Sequence, residues 1–260
     1  MLFDLRSGRR RNVVKVVYAT LAVLMGLSLF LVIGGFNIAE LFNSPGTNDV
    51  AGQYEDEAER IEKKLRKDPE DSALLLRLTR ARTNAASGLY DIGPREERLV
   101  TPEAQQQLRL AADSWEKYLD STDEPAAVGA QLMAPTMITL AENSRNNVEA
   151  NEYVKVAVEA AEIAAKKRPN LNSLSIFAFY TAFLDEEKAE RIADQASKFL
   201  TTKFARQSFE KELERFAEIG KSFQGAVRAE EQQEAQAGAG RQALENPLGG
   251  ASLGGTAGGG

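Results

Sequence analysis

One stretch of the chain is apolar on every side. Residues 16–36 are 21 consecutive residues without a charge, mostly Val, Leu, Ala, Phe, Ile and Gly. As a helix this run is roughly 31 Å long, which matches the ~30 Å hydrocarbon core of a bilayer. Because lipid offers no partner for backbone N–H and C=O groups, the run predicts a transmembrane helix.

The charges on either side of this run predict its orientation. No basic residue follows the run before Arg60, whereas five precede it: Arg6, Arg9, Arg10, Arg11 and Lys15. The positive-inside rule therefore places the basic arm, residues 1–15, in the cytoplasm and the rest of the chain outside it, at the plasma membrane. The arm also suits anionic lipid headgroups, so membrane lipid is the first expected partner.

Two other interpretations of the apolar run stay open. A cleaved signal peptide has an apolar core of about 7 to 15 residues and a small-x-small cleavage site. Here the core is longer and no Ala-x-Ala follows Phe36. A buried core helix is seldom apolar on every face for this length. Residues 37–53, which contain Pro, Gly and Asn without periodicity, are expected to form a linker.

Beyond the linker, apolar residues recur every three or four positions, the period of amphipathic helices. A helical domain is predicted over 54–204, then a long charged helix over 205–236 and a disordered Gly-rich tail over 237–260. Pro135 is expected to kink or split its helix. The helices predicted in the domain cover about 54–68, 72–86, 102–120, 126–142, 148–168, 172–184 and 186–200.

The composition excludes several kinds of site. The chain has no Cys and no His, which rules out disulfides, Cys-ligated metals and Ser-His-Asp or Cys-His catalysis. Beyond residue 36 there are 27 Lys+Arg and 37 Asp+Glu, and such an acidic balance argues against nucleic acid as a partner. We expect no cofactor and no enzymatic activity.

The carboxylate clusters are candidate acid–base pairs or metal ligands, and the aromatic residues are candidates for a ligand groove. Asp56/Glu59/Glu62, Glu186/Glu187/Glu190 and Glu210/Glu212/Glu214 lie among Lys and Arg at helical spacing, which is typical of solvated helix faces. Trp115 and Tyr118 are interpreted as packing residues. The stripe from Phe209 to Phe223 is interpreted as a core contact, with a partner-binding face as the alternative.

Three predicted helices are Ala-rich on one face and are followed by a proline, at Pro69, Pro125 and Pro169. The clearest instance runs from Ala112 through Trp115 and Tyr118 to Pro125. This pattern resembles the tetratricopeptide repeat, which implies stacked helix pairs with a concave surface that binds a protein. The prolines are 56 and 44 residues apart, against a period of about 34, and the family's Trp-x-x-Leu-Gly start is missing. An ordinary helical bundle remains the alternative fold.

The overall layout is similar to bacterial single-pass proteins with an extracytoplasmic tetratricopeptide domain, such as ancillary subunits of the Sec translocon. The N-terminal arm also resembles that of membrane-anchored periplasmic prolyl isomerases, although no isomerase domain follows it. The layout implies an anchored interaction module, a scaffold or chaperone-like adaptor that assists exported or membrane proteins. The alternative is a structural or regulatory membrane protein that self-associates as a homo-oligomer.

Overall fold

The computed structural model describes residues 47–93 and 98–245, and this part of the chain is helical apart from one small hairpin. The all-α class is therefore confirmed here. The hairpin pairs β1 (Asp91–Ile92) with β2 (Arg98–Leu99). The helices are α1 (Thr47–Leu65), α2 (Ser72–Gly88), α3 (Pro102–Asp120), α4 (Ala127–Glu142), α5 (Asn147–Lys167), α6 (Leu171–Thr181), α7 (Glu186–Ser197) and α8 (Lys203–Glu245).

The predicted transmembrane helix at 16–36 and its basic arm lie outside the described residues. Within 47–93 and 98–245, none of the helices combines the length and the apolar character needed to cross a bilayer.

Side-chain caps fix the start of four helices. Asp71, Thr101, Asn146 and Asp185 each accept a hydrogen bond from a backbone N–H in the first turn that follows. Such caps satisfy donors that have no partner within the helix. The helix starts predicted near residues 72, 102 and 186 are confirmed.

The linker prediction over 37–53 is wrong at its C-terminal end, because α1 already begins at Thr47. Ala51 is buried, and a Cβ built on Gly88 would lie 3.0 Å from the Ala51 Cβ. This close packing against the end of α2 stabilises a turn that Gly52 alone would weaken.

The tail prediction over 237–260 is wrong at its beginning, because α8 continues to Glu245. Gly238 and Gly240 each cost about 1 kcal/mol of helix propensity. The neighbouring Ala, Gln, Arg, Leu and Glu residues are strong helix formers, and they offset that cost.

Three local expectations also change. The segment between the helices predicted over 72–86 and 102–120 contains the β1–β2 hairpin. Pro135 lies inside the single helix α4, so the predicted split does not occur. The 172–184 segment, expected at the centre of the core, is α6; Leu174 and Phe177 are buried there, whereas Ile176 is only half-buried.

The described residues form two compact units, and the division falls inside α4. Unit 1 comprises the described residues up to Leu132 together with Asn170–Ser173. In unit 1, α1 and α2 pack around Ala58, Ile61, Leu78 and Ala81. Thr101, the cap of α3, also donates its hydroxyl hydrogen to the Leu89 carbonyl at 2.9 Å, which closes the segment between α2 and α3.

Unit 2 comprises Met133–Pro169 and the residues from Leu174 onward. Its core includes Ala182, Ala189 and Ala217, with Leu213 and Phe216 packed against them. Further along α8, Gln224 donates a hydrogen bond to Asn151, and the Asn147 backbone and side chain both donate to Glu230. These contacts make α8 antiparallel to α5.

Candidate interaction surfaces

The residues that carry the repeat resemblance lie at turns and in the core. Pro69, Pro125 and Pro169 follow the ends of α1, α3 and α5, and Pro69 and Pro169 are exposed. The topology-determining residues, Arg6 to Lys15, lie outside the described part of the chain.

Trp115 and Tyr118 are packing residues, as predicted. Trp115 is 1% exposed, and its ring centroid lies 5.3 Å from that of Tyr118. The Tyr118 hydroxyl accepts a hydrogen bond from the Ala126 backbone N–H at 2.8 Å, which fastens the turn that contains Pro125. On the same helix Ala111 is fully buried, whereas Ala112, which was included in the repeat pattern, is only half-buried.

A partly buried polar network joins α1, α2 and α3 in unit 1. The Arg82 guanidinium, on a side chain only 10% exposed, donates to Glu62 at 2.6 Å and to Gln107 at 2.9 Å. The Gln107 amide donates in turn to Glu55 at 2.8 Å. Hydrogen bonds with a charged partner are stronger than neutral ones, so this network fixes how the three helices align.

The acidic clusters are parts of ion pairs rather than a shared site. Glu62 pairs with Arg82, Glu186 with Lys221, and Glu212 with Arg215. The side chains of the last two pairs are between 42% and 67% exposed, where an ion pair contributes little. In the ranges described, no three acidic side chains come together in a way that could hold a metal ion.

The Phe209–Phe223 stripe is a core contact. Phe216 stacks on Phe179 with ring centroids 5.0 Å apart and meets the edge of Phe183 at 5.6 Å. Phe209 and Phe223 make the flanking contacts, with Phe179 and Phe183 respectively. These ring contacts pack the stripe against Phe179 and Phe183 within unit 2 and leave Phe209, Phe216 and Phe223 half-buried.

Among the residues that the structure describes, five large hydrophobic side chains are exposed, and two of them lie on the hairpin of unit 1. Ile92 is 79% exposed and Leu99 is 45% exposed. The register pairs Ile92 with Arg98 and Asp91 with Leu99, so each face of the hairpin carries one apolar and one charged residue. We call these four residues the β1–β2 ribbon.

Tyr90, next to the ribbon, is half-buried. Burial raises the pKa of its phenol, and the positive charge of Arg98 partly opposes this rise. The phenol is therefore neutral at physiological pH, and Tyr90 supports the ribbon as an uncharged side chain.

Unit 2 has its own exposed pair where α7 turns into α8. Phe199 is 50% exposed and Phe204 is 72% exposed. The helix predicted over 186–200 is shorter than expected, because α7 ends at Ser197 and Phe199 lies in the following turn. We call residues 198–206 the aromatic tip.

Sequence reasoning missed both surfaces. The ribbon lies between the helices predicted over 72–86 and 102–120, where no strand was predicted. Ile92, Leu99 and Val100 in a Gly- and Pro-containing stretch are nevertheless a hairpin signal.

Comparisons with known proteins found no match: no family model, no curated protein and no solved structure matches this chain.

Proposed function

We propose that this protein is a membrane-anchored interaction module, which uses a helical domain outside the cytoplasm to bind another protein. The observation that carries the proposal is the β1–β2 ribbon. The ribbon exposes two large hydrophobic side chains within one short strand pair, Ile92 at 79% and Leu99 at 45%, and a partner would cover them.

The anchor rests on the sequence. The 21 uncharged residues of 16–36, with five basic residues before them and none until Arg60, support a single-pass chain with its N-terminus in the cytoplasm. The helical domain would then be held beside the outer face of the plasma membrane.

The packing of α2 between its two neighbours supports a binding role. In unit 1, α2 packs against both α1 and α3, its neighbours in sequence, as in arrays of stacked helices. Buried Trp115 and Tyr118 on α3 and the proline-containing turns after α1, α3 and α5 agree with a degenerate tetratricopeptide-like pattern. Helical arrays of this kind present extended surfaces to other proteins.

The geometry of the ribbon indicates the kind of partner. Strands of two residues are marginal in water, and both outer edges of a two-stranded ribbon carry backbone groups that can pair further. An extended polypeptide could add as a third strand, with main-chain hydrogen bonds for affinity and Ile92 or Leu99 for apolar contact. An adaptor for exported or membrane proteins would meet such extended segments.

Site-specific photo-crosslinking in intact cells tests the proposal. A photoreactive phenylalanine analogue replaces Ile92 or Leu99 in the full chain, and a matched variant carries it at Lys63, an exposed position of α1 in the same unit. We expect a discrete adduct with a second protein from positions 92 and 99 and none from position 63.

The mass of the adduct distinguishes an interaction module that binds another protein from a chain that self-associates. An adduct of twice the chain mass would favour the self-associating structural or regulatory protein. If positions 92 and 99 give no more adduct than position 63, the ribbon does not bind a protein and the proposal is wrong.

A further inference from the structure

Two aromatic rings project from the aromatic tip, whereas Leu200, which lies between them in the sequence, is buried. Leu200 is buried at 9% exposure, whereas Phe199 and Phe204 are 50% and 72% exposed. The tip thus places one apolar side chain in the core of unit 2 and presents two larger ones outward.

The turn itself is well ordered by hydrogen bonds. The backbone N–H groups of Phe199 and Leu200 donate to the carbonyls of Ala196 and Ser197 at 3.0 Å. Thr202 caps α8 by accepting from the Ala205 N–H at 3.1 Å, and the Arg206 side chain donates to the Leu200 carbonyl at 3.1 Å. Because these hydrogen bonds fix the backbone of the turn, the two rings are held in exposed positions.

The charged residues that neighbour the rings in the sequence are all positive. Between Asp194 and Glu210 the chain has no acidic residue, and the exposed residues there include Lys198, Lys203 and Arg206. Elsewhere in unit 2 lysines pair with glutamates: Lys166 and Lys188 with Glu162, and Lys221 with Glu186. Within the described ranges neither Lys198 nor Lys203 has such a partner. The tip is a basic surface on an otherwise acidic domain.

We propose that the aromatic tip binds the surface of a bilayer that contains anionic lipid. Phe199 and Phe204 would enter the boundary between headgroups and acyl chains, and the three basic residues would contact lipid phosphates. A bilayer is the occupant we propose because exposed aromatic rings beside unpaired lysines match an apolar interior under anionic headgroups.

This contact deepens the proposed function without depending on the ribbon. An acidic domain tethered at residue 36 would be repelled by anionic headgroups, whereas the tip offers one attractive point of contact. The contact would therefore fix the orientation of unit 2 on the membrane.

Fluorescence quenching by brominated lipid tests the contact in the full chain. The chain has one tryptophan, Trp115, which is 1% exposed and supplies a constant baseline. Phe199→Trp adds a reporter at the tip, and the protein is reconstituted into brominated phosphatidylcholine vesicles with or without phosphatidylglycerol. We expect loss of the added emission only when phosphatidylglycerol is present, and recovery of that emission at high salt.

Ile219→Trp is the matched control. Ile219 is 43% exposed on the same helix, and 15 residues beyond Phe204 it lies roughly 22 Å further along the axis. Its emission should be unchanged. Lys198→Gln and Lys203→Gln, introduced into the Phe199→Trp chain, should each weaken the contact about fivefold, because a basic residue near an anionic surface contributes about that factor.

Three results would overturn the inference: equal quenching at positions 199 and 219, quenching that does not need phosphatidylglycerol, or a photo-crosslink from position 204 to a protein instead of lipid. Flotation of the vesicles that lack phosphatidylglycerol, to which the tip is not expected to bind, reports the anchor separately. If the chain does not float, the anchor is wrong, and quenching on added vesicles still decides whether the tip binds lipid.

Discussion

Gly220 lets α8 approach the end of α6 more closely than any other residue would allow. A Cβ at this position would lie 2.5 Å from the Ala182 carbonyl oxygen and 2.7 Å from the Phe183 Cα. Both are backbone atoms that cannot move aside as a side chain can. Gly220→Ala should therefore lower the free energy of unfolding by about 1–3 kcal/mol, measured by urea unfolding of the full chain in detergent.

Gly225 provides the control within the same helix. A Cβ there would have no heavy atom within 4 Å. Gly225→Ala should stabilise by about 0.5–1 kcal/mol, because alanine loses less backbone entropy in a helix. Equal effects at the two positions would show that propensity, and not close packing, determines the cost at Gly220.

Tyr180 predicts a specific loss of stability in alkali. Burial, and secondarily the nearby Glu142 carboxylate, raises the pKa of its phenol from 10.0 to about 12. Below pH 10 the phenol is neutral in both the folded and unfolded states. Between pH 10 and 12 it ionises only in the unfolded state, so the free energy of unfolding should fall by up to about 1.4 kcal/mol per pH unit.

Tyr180→Phe isolates this effect from general alkaline unfolding. Urea midpoints of both chains measured from pH 8 to 11 should diverge above pH 10, with the Phe variant losing less stability as pH rises. Parallel curves would show that the raised pKa of Tyr180 does not contribute to the loss of stability in alkali.

At the scale of helices, the sequence predicts most of the described structure because its signals are local. Asp71, Thr101 and Asp185 are caps that can be recognised from residue type and position, and the Leu75–Leu78 and Ala104–Trp115 spacings define buried faces. These features depend on residues within one turn of each other.

The errors at this scale arise where distant contacts decide. The first turn of α1 is stabilised by Gly88, 37 residues from Ala51, and no local pattern contains that contact. Phe199 carries the correct helical spacing to face inward, yet the helix ends two residues before it. The exposed surfaces on the ribbon and the tip could not be predicted, because exposure depends on what the rest of the fold leaves uncovered.

The Arg82 network predicts a strong dependence of unit 1 on one side chain. Arg82→Met keeps the apolar stem but removes hydrogen bonds to Glu62 and Gln107, and we expect a loss of about 2 kcal/mol in urea unfolding. Arg77→Met is the matched change on the same helix. Arg77 pairs with Glu57 through side chains 56% and 41% exposed, so its loss should cost less than about 1 kcal/mol. Similar costs at both positions would show that the buried network adds nothing beyond a surface ion pair.

At the scale of the whole chain, the proposals assign a separate role to each of three features. The apolar run at 16–36 would span the bilayer, the aromatic tip would contact its surface, and the β1–β2 ribbon would bind an extended polypeptide. The ribbon and the tip belong to separate units, so each can be altered without touching the residues that form the other. Loss of the tip should therefore leave crosslinking from Ile92 intact.

The orientation of the chain can be measured directly because the protein has no cysteine. Ser7→Cys reports the N-terminal arm, and Asp123→Cys reports an exposed turn between α3 and α4. A membrane-impermeant maleimide added to intact cells whose outer face is accessible should label position 123 and not position 7, and permeabilised cells should label both. Labelling of position 7 alone would invert the topology. If the mature chain is shorter than 28.4 kDa and lacks position 7 altogether, the apolar run is a cleaved signal and not an anchor.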